Sequence, residues 1–387
     1  MRFLRFGLLA WGGPVAQIAM IRQELVEEEK WVSKERFNRV LAVYQALPGP
    51  EAHELCVFFG TMVGGRLGGF LAGLAFMLPG LLLMLLLSWV YVTYGIASPL
   101  FAAAFYGMQP AVVALIVRGL QRIGQHALHD RWLWGIAVLA FGLQLLGVNF
   151  VLLLVTAGLF YTVVRRTSRQ IALTVGILLL IGLLLWHFSL TQTASPTEVV
   201  RVARSAKPQP WALFAAGLRT GLLTFGGAYS AISFLRQDAV TIGGWLTDSQ
   251  FLDGIALGGI LPAPLIIFGT FVGYVAGGNV SGALLMTLGI FLPAFSFSLI
   301  GHEVIERLVD TPWLHSFFDG VTAGVVGLIA ATTLLLLPTA ISDLPTAAIF
   351  AIALAIVMRW KSKASTPVAL LVGGVIGWLV QNFIFAS

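Results

Sequence analysis

The chain has 387 residues, 58% of them hydrophobic and 10% charged, and a net charge of +6; its mean hydropathy is +0.92. So few charges exclude an ordinary soluble domain, where about 25% is usual, and the basic excess fits cytoplasmic membrane loops better than a nucleic-acid surface. A single cysteine, Cys56, excludes an internal disulfide and any cysteine-built metal cluster.

In chain order, the first half offers apolar segments at about Leu4–Ile21, Leu41–Gly64, Phe70–Tyr94, Leu100–Val117, Trp132–Leu146, Phe150–Val164 and Ile171–Phe188. These lengths suit a hydrocarbon core of roughly 30 Å. Met1-Arg2-Phe3-Leu4-Arg5 runs into the first of them without a cleavage-site pattern, so no removable leader is expected. The charged stretch Arg22–Arg39 reads as an interfacial helix, with Ser33 and, later, Thr247 as matched N-caps. The segment 170–210 reads as a linking transmembrane helix and an interfacial linker carrying Arg201, Arg204 and Lys207. Six further apolar segments follow, about 13 in all.

The chain is written twice. Leu4–Pro14 (LRFGLLAWGGP) and Leu218–Ala228 (LRTGLLTFGGA) share seven of eleven residues at an offset of 226 − 12 = 214. Without a gap the offset also pairs Arg22-Gln23-Glu24 with Arg236-Gln237-Asp238, Trp31 with Trp245, Pro48 with Pro262, Pro50 with Pro264 and Pro79 with Pro293. This is an internal duplication, with a first repeat at 1–169 and a second at 211–387. An odd number of segments before the second copy would invert it. Charges favour that reading: Arg118, Arg122 and Arg131 sit in one loop of the first half whose counterpart near Asp343 holds no basic residue, whereas the basic run Arg359–Lys363 of the second half falls one loop later, where the first half is uncharged. The expected fold is an all-α polytopic membrane protein of two inverted repeats, with a cytoplasmic N-terminus in a bacterial-type inner membrane.

Nine residues at ~1.5 Å each place Gly12-Gly13-Pro14 roughly 14 Å into the first segment, near the bilayer midplane. The same count carries Pro48-Gly49-Pro50 about 16 Å beyond Phe37. Counting Gly226-Gly227 and Pro262-Ala263-Pro264, four broken or re-entrant segments would converge at that depth. Non-helical backbone survives there only inside protein or beside a watery cavity. Freed amides at a helix start carry the positive dipole end and bind anions. Simple kinks for close packing are the alternative.

Arg22 and Arg236 are read either as interfacial anchors or as anion entry and gating groups, and Arg5 and Arg219 more weakly so. Gln17, Gln23 and Gln237 add amide donors. Glu51, His53 and Glu54 face Leu265, Ile267 and Phe268 in the second copy and break its symmetry. Glu51 is either a proton-coupling group, tolerable beside an anion when it can become neutral, or a helix cap; Glu24 is a second coupling candidate. His53, His187, His302 and His315 show no ligand spacing, so no metal or cofactor is expected.

The stretches WGGPVAQIAMIRQELVEEEKWVSKERFNRVLAVYQALPGPEA and TFGGAYSAISFLRQDAVTIGGWLTDSQFLDGIALGGILPAPLIIFGTFVGY closely resemble the two signature regions of the chromate ion transporter family in its long, two-domain form. The resemblance spans nearly the whole chain. It implies an inner-membrane secondary transporter that exports chromate, confers resistance and draws on the proton motive force. Matched motif residues are Gly12, Gly13, Pro14, Gln17, Arg22, Gln23, Glu24, Pro48, Gly49, Pro50 and Glu51, then Gly226, Gly227, Arg236, Gln237, Pro262 and Pro264. Trp11 replaces the usual Phe, and His53 and Glu54 stand where amides are frequent.

Expected partners are chromate or a sulfate-like oxyanion, protons and the lipid bilayer, with a homodimer left open. Sulfate uptake is the competing transport reading. At a potential of roughly 150 mV, negative inside, an outgoing dianion gains about 7 kcal/mol, so export is downhill on voltage alone. A membrane-embedded enzyme is the alternative class, but reduction would need a redox cofactor, and the chain has no dinucleotide-binding glycine fingerprint.

Overall fold

A computed structural model of the chain describes residues 1–95, 98–193, 207–225, 227–300, 311–360 and 362–383. Gly226, Arg201, Arg204 and His302 lie outside the described residues. Among those described, the regular structure is entirely helical, and six helices are long and apolar enough to cross a membrane, with shorter apolar helices beside them. The protein is a polytopic, all-helical membrane protein.

The first half opens with α1 (Arg2–Leu8) and α2 (Gly13–Arg22), which runs on as a π-helical turn, Gln23–Glu28. Then come α3 (Lys34–Ala46) and α4 (Glu51–Val90). Ser33 caps α3 as expected, its hydroxyl accepting from the Arg36 amide at 3.2 Å. At ~1.5 Å per residue a straight 40-residue helix would be about 60 Å long, twice the hydrocarbon core. Instead α4 folds back at Gly64 and Gly65, where φ reaches +59° and only glycine is at ease. Its two arms pack so tightly that a Cβ on Gly60 would lie 2.4 Å from the Ala72 Cβ. The bundle helices α5 (Pro99–Ala127), α6 (Arg131–Leu145) and α7 (Phe150–Arg166) follow, and then the connecting helix α8 (Arg169–Thr193), which packs chiefly on α7.

The second half repeats these elements. It runs α9 (Pro210–Leu223), α10 (Ser230–Arg236) with a π turn Gln237–Ile242, α11 (Asp248–Gly259), a 3-10 turn Leu265–Ile267, α12 (Phe268–Gly277) and α13 (Val280–Ile300). The bundle helices are α14 (Pro312–Ala340), α15 (Leu344–Arg359) and α16 (Ser365–Phe383). Both π turns keep the offset of 214, and α5 and α14 match at both ends at an offset of 213. Thr247 caps α11 through a capping box. Equivalent salt bridges recur too: Arg5 with Glu24, and Arg219 with Asp238 at 3.0 Å.

The halves exchange bundle helices. α5 packs against α15 and α16 of the other half, and α14 packs against α6 and α7. At the α5–α16 crossing a Cβ on Gly107 would stand 2.0 Å from the Gly373 carbonyl oxygen; at the α14–α7 crossing one on Gly320 would stand 2.5 Å from that of Ala157. Near the start of α5, the Tyr106 hydroxyl donates to Asp343 at 2.7 Å. Nearer its end, Arg118 donates to the Ser365 hydroxyl at 3.0 Å. The loop before α15 thus lies toward the start of α5, and the loop before α16 toward its end.

Candidate functional site

Three of the four predicted breaks come together. Gly12 takes φ +85° at the start of α2 and presses on the basic loop before α16: a Cβ there would lie 2.8 Å from the Lys363 Cα. Gly13, with φ +78°, faces open space, with nothing within 4 Å of where a Cβ would be. The Pro14 ring lies 3.9 Å from the corresponding point on Gly227, so the two Gly-Gly breaks adjoin. The Gly49 amide crosses between the halves and donates to the Thr224 carbonyl at 2.9 Å. Gln17 holds the first break closed on itself, its amide donating to the Ala10 carbonyl at 2.9 Å.

Pro48, Gly49, Pro50 and Glu51 are all buried. Pro50 is the cap residue and Glu51 the first helical residue of α4. Glu51 is 8% exposed at the start of α4. Glu54 is 0% exposed, has no hydrogen-bond partner among the described residues, and sets its carboxylate against Gly49. His53, also fully buried, has both ring nitrogens unpartnered and sits among Phe76, Phe291 and Phe295.

The fourth break departs from the symmetry. Ala263 donates to Leu261 within its own turn and packs on α4, where a Cβ on Gly80 would meet its side chain at 2.4 Å. Pro262, Ala263 and Pro264 are followed by the apolar Leu265-Ile266-Ile267, so the second copy offers no acid at this position. Arg22, Gln23 and Glu24 lie at the far end of α2, roughly 14 Å along the helix from Gly13. There Arg22 pairs with Glu27 at 3.2 Å, Gln23 bonds Glu28 at 3.2 Å, and Glu24 pairs with Arg5 and with Arg2 at 3.5 Å. In the second copy Arg236 grips Asp248 through two bonds of 2.7 and 3.0 Å, and Gln237 accepts from Gln144 at 3.1 Å. Each of these side chains is occupied by a protein partner.

Residues that sequence reasoning placed in a loop enter the site from α5. Arg118 and Arg122, four apart, share a helix face. Gly119 between them lies flat on the Tyr229 ring, where a Cβ would be 2.5 Å from Cγ. The available signal was that the apolar pattern continues through Ile123 to Ala127, which puts both arginines inside the helix. The site therefore joins non-helical backbone from both halves to Arg118 and Lys363, with Arg122 on the same face of α5 as Arg118, and with two buried acids, Glu51 and Glu54, at the Pro48-Gly49-Pro50 break. Among the described residues no three His, Cys, Asp or Glu are grouped to hold a metal ion. Groups of this kind can hold an oxygen-rich anion by backbone amides, helix-start dipoles and guanidinium forks.

Residues 1–163 and 211–378 match the family described as chromate transporter. The chain belongs to the chromate transporter family. It is 52% identical to the chromate transport protein of Pseudomonas aeruginosa, over 98% of this chain and 91% of that one. The chromate transport protein of Cupriavidus metallidurans is 29% identical over 97% of this chain and 91% of its own length. A probable chromate transport protein of Synechococcus elongatus is 30% identical over 97% and 94%. No solved structure matches the chain. The family model breaks between residues 163 and 211, where α8 and the linker join the two halves.

Proposed function

We propose that the protein is a secondary active transporter of the inner membrane that exports chromate from the cytoplasm and thereby confers chromate resistance, driven by membrane potential and protons. The observation that carries this reading is the meeting of both Gly-Gly breaks with Pro48-Gly49-Pro50, beside Arg118, Arg122 and Lys363. Gly12, Gly13, Pro14, Pro48, Gly49, Pro50 and Gly227 form the anion seat. Arg22 and Arg236, with their amide neighbours, act at its outer ends. Glu51 is the coupling acid, and Glu24, held by Arg5, is its counterpart at the helix end.

Inverted repeats explain the bundle. α16 runs antiparallel to α5, because Gly107 meets Gly373 while Arg118, further along α5, meets Ser365, earlier on α16. Its equivalent in the first half, α7, runs parallel to α5 in an up-down-up bundle. This supports the reading of two opposed copies, and an odd count of about 13 segments would put the two termini on opposite sides of the membrane, the N-terminus in the cytoplasm. The positive-inside rule puts the ends of α5 and α15, with Arg122, Arg131, Arg359 and Lys363, on the cytoplasmic side. A site in contact with that loop loads from the cytoplasm, as an exporter requires.

Radiolabelled chromate and sulfate fluxes in proteoliposomes, with voltage and pH gradient imposed separately, test the reading. Chromate should move outward with respect to the cytoplasmic face on voltage alone, and sulfate should compete weakly. Uptake of sulfate without chromate movement would overturn it.

A further inference from the structure

The connecting helix α8 packs chiefly on α7, where a Cβ on Gly176 would lie 2.5 Å from the Phe160 ring. Between α8 and α6 it leaves a cavity of about 270 Å³. Ile136 and Leu143 of α6, Leu153 of α7, and Leu180 and Leu183 of α8 are among its walls, and its only polar side-chain groups among the described residues are the Thr156 hydroxyl and the Trp132 indole. A water needs two to four polar partners to stay in such a space, and a void would forfeit the dispersion contacts of its lining. The walls therefore suit an apolar chain.

One end of this cavity lies under four arginines. α6 starts at Arg131, α7 ends at Arg165-Arg166 and α8 starts at Arg169. Trp132 and Phe160, edge to face with ring centres 6.0 Å apart, close α6 on α7 just below them. All four arginines are exposed, and none forms an ion pair among the described residues. The acids of this corner are Asp130, committed to the α6 cap and the Tyr161 hydroxyl, and Asp319 of α14, next to Gly320 where that helix crosses Tyr161.

We propose that this corner binds one anionic phospholipid of the bilayer, with its phosphate among Arg131, Arg165, Arg166 and Arg169 and an acyl chain in the cavity between α6 and α8. Guanidinium forks match phosphate oxygens, and basic pockets between membrane helices hold such headgroups. By the positive-inside assignment above, the corner faces the cytoplasmic leaflet. The chain completes the packing of α8 on the bundle, whichever anion the protein carries. In the second half α15 starts at Leu344 and α16 ends at Gln381-Asn382-Phe383, without a basic residue, so the site belongs to one copy.

Native mass spectrometry of the purified full chain, titrated with phosphatidylglycerol or with phosphatidylcholine of the same acyl chains, tests the proposal. Wild type should bind its first phosphatidylglycerol about ten-fold or more tightly than phosphatidylcholine, since each arginine beside an anionic headgroup contributes several-fold. Arg131→Gln, Arg165→Gln, Arg166→Gln and Arg169→Gln combined should abolish that preference. Arg359→Gln, at the end of α15, which packs on α5 and α16 instead, should keep it. Gly135→Leu puts a side chain into the cavity from a point where a Cβ meets nothing within 4 Å. It should weaken phosphatidylglycerol binding several-fold, whereas inorganic phosphate held by the arginines alone would be indifferent to it. Equal binding of the two lipids by wild type, an unchanged preference in the combined arginine variant, its loss in Arg359→Gln as well, or undiminished affinity in Gly135→Leu would overturn the proposal. So would a second copy of the chain covering this face, seen as a dimer that takes up neither lipid.

Discussion

Gly12 and Gly13 offer a controlled comparison, because the two neighbours share the same backbone demand and differ in what surrounds them. Their φ values are +85° and +78°, a region that costs an L-residue about 1–2 kcal/mol. Alanine at Gly13 meets nothing within 4 Å, whereas alanine at Gly12 meets the Lys363 Cα at 2.8 Å and its Cβ at 3.0 Å. Backbone cannot swing aside like a flexible side chain, so Gly12→Ala adds an overpacking cost of about 1–3 kcal/mol. The expected totals are about 1–2 kcal/mol for Gly13→Ala and about 2–5 kcal/mol for Gly12→Ala. In a chain this long each kcal/mol moves the melting temperature by roughly 2 °C or less. Melting of the purified protein, followed by size-exclusion chromatography after heating, should therefore rank wild type above Gly13→Ala above Gly12→Ala. Gly13→Leu should melt near Gly13→Ala yet lose chromate flux, since its side chain fills the open space beside the break. Equal destabilisation by Gly12→Ala and Gly13→Ala would refute the contact with the basic loop, and undiminished flux in Gly13→Leu would refute the location of the anion.

Glu51→Gln should keep chromate binding and lose its pH dependence between about pH 5 and 8, whereas a pure capping role predicts an unchanged slope. His129→Cys and Ser342→Cys, exposed residues 213 apart in equivalent loops, should react with an impermeant maleimide from opposite sides of the membrane once Cys56 is replaced. Labelling of both from one side would sink the inverted arrangement. Asp130 caps α6 by accepting from the Trp132 and Leu133 amides at 2.8 and 2.9 Å. Burial pushes its carboxyl up, but the Tyr161 hydroxyl and those amides outweigh it and hold the group below its ordinary value. A lowered acid contributes stability above the ordinary aspartate range and loses it as pH falls through the folded value. Asp130→Asn should thus narrow the gap in melting temperature to wild type only below about pH 4, and a gap constant down to pH 3 would contradict the ionised cap.

The duplication was legible because glycine and proline punctuate the chain locally. The breaks at Gly12-Gly13 and Pro48-Gly49-Pro50, and the caps at Ser33 and Thr247, follow from residues a few positions apart. The fold-back at Gly64-Gly65 was legible as well, as the gap between the apolar segments Leu41–Gly64 and Phe70–Tyr94 where Arg66 interrupts the run. Arg118, Arg122 and Lys363 were not seen as site residues. Their place depends on α5 packing against α16 and on Gly12 touching the loop before it, contacts between residues hundreds of positions apart. Arg22, Gln23, Glu24 and Arg236 stood out by repetition, which says nothing of where they stand. In the structure they close ion pairs and hydrogen bonds at helix ends, away from where the breaks meet.

The exchange of α5 and α14 makes each half the missing piece of the other. A chain translated only as far as α8 would leave α6 and α7 with an apolar slot that no later part of the same half fills, and α5 without its two neighbours. Completion waits on residues 312–383, so the first half must be held in the membrane unfinished while the second is made. The converse is tolerance to scission. With the halves clasped by their bundle helices, and α8 packed chiefly on α7, two fragments divided after α8 and produced together should assemble without being joined.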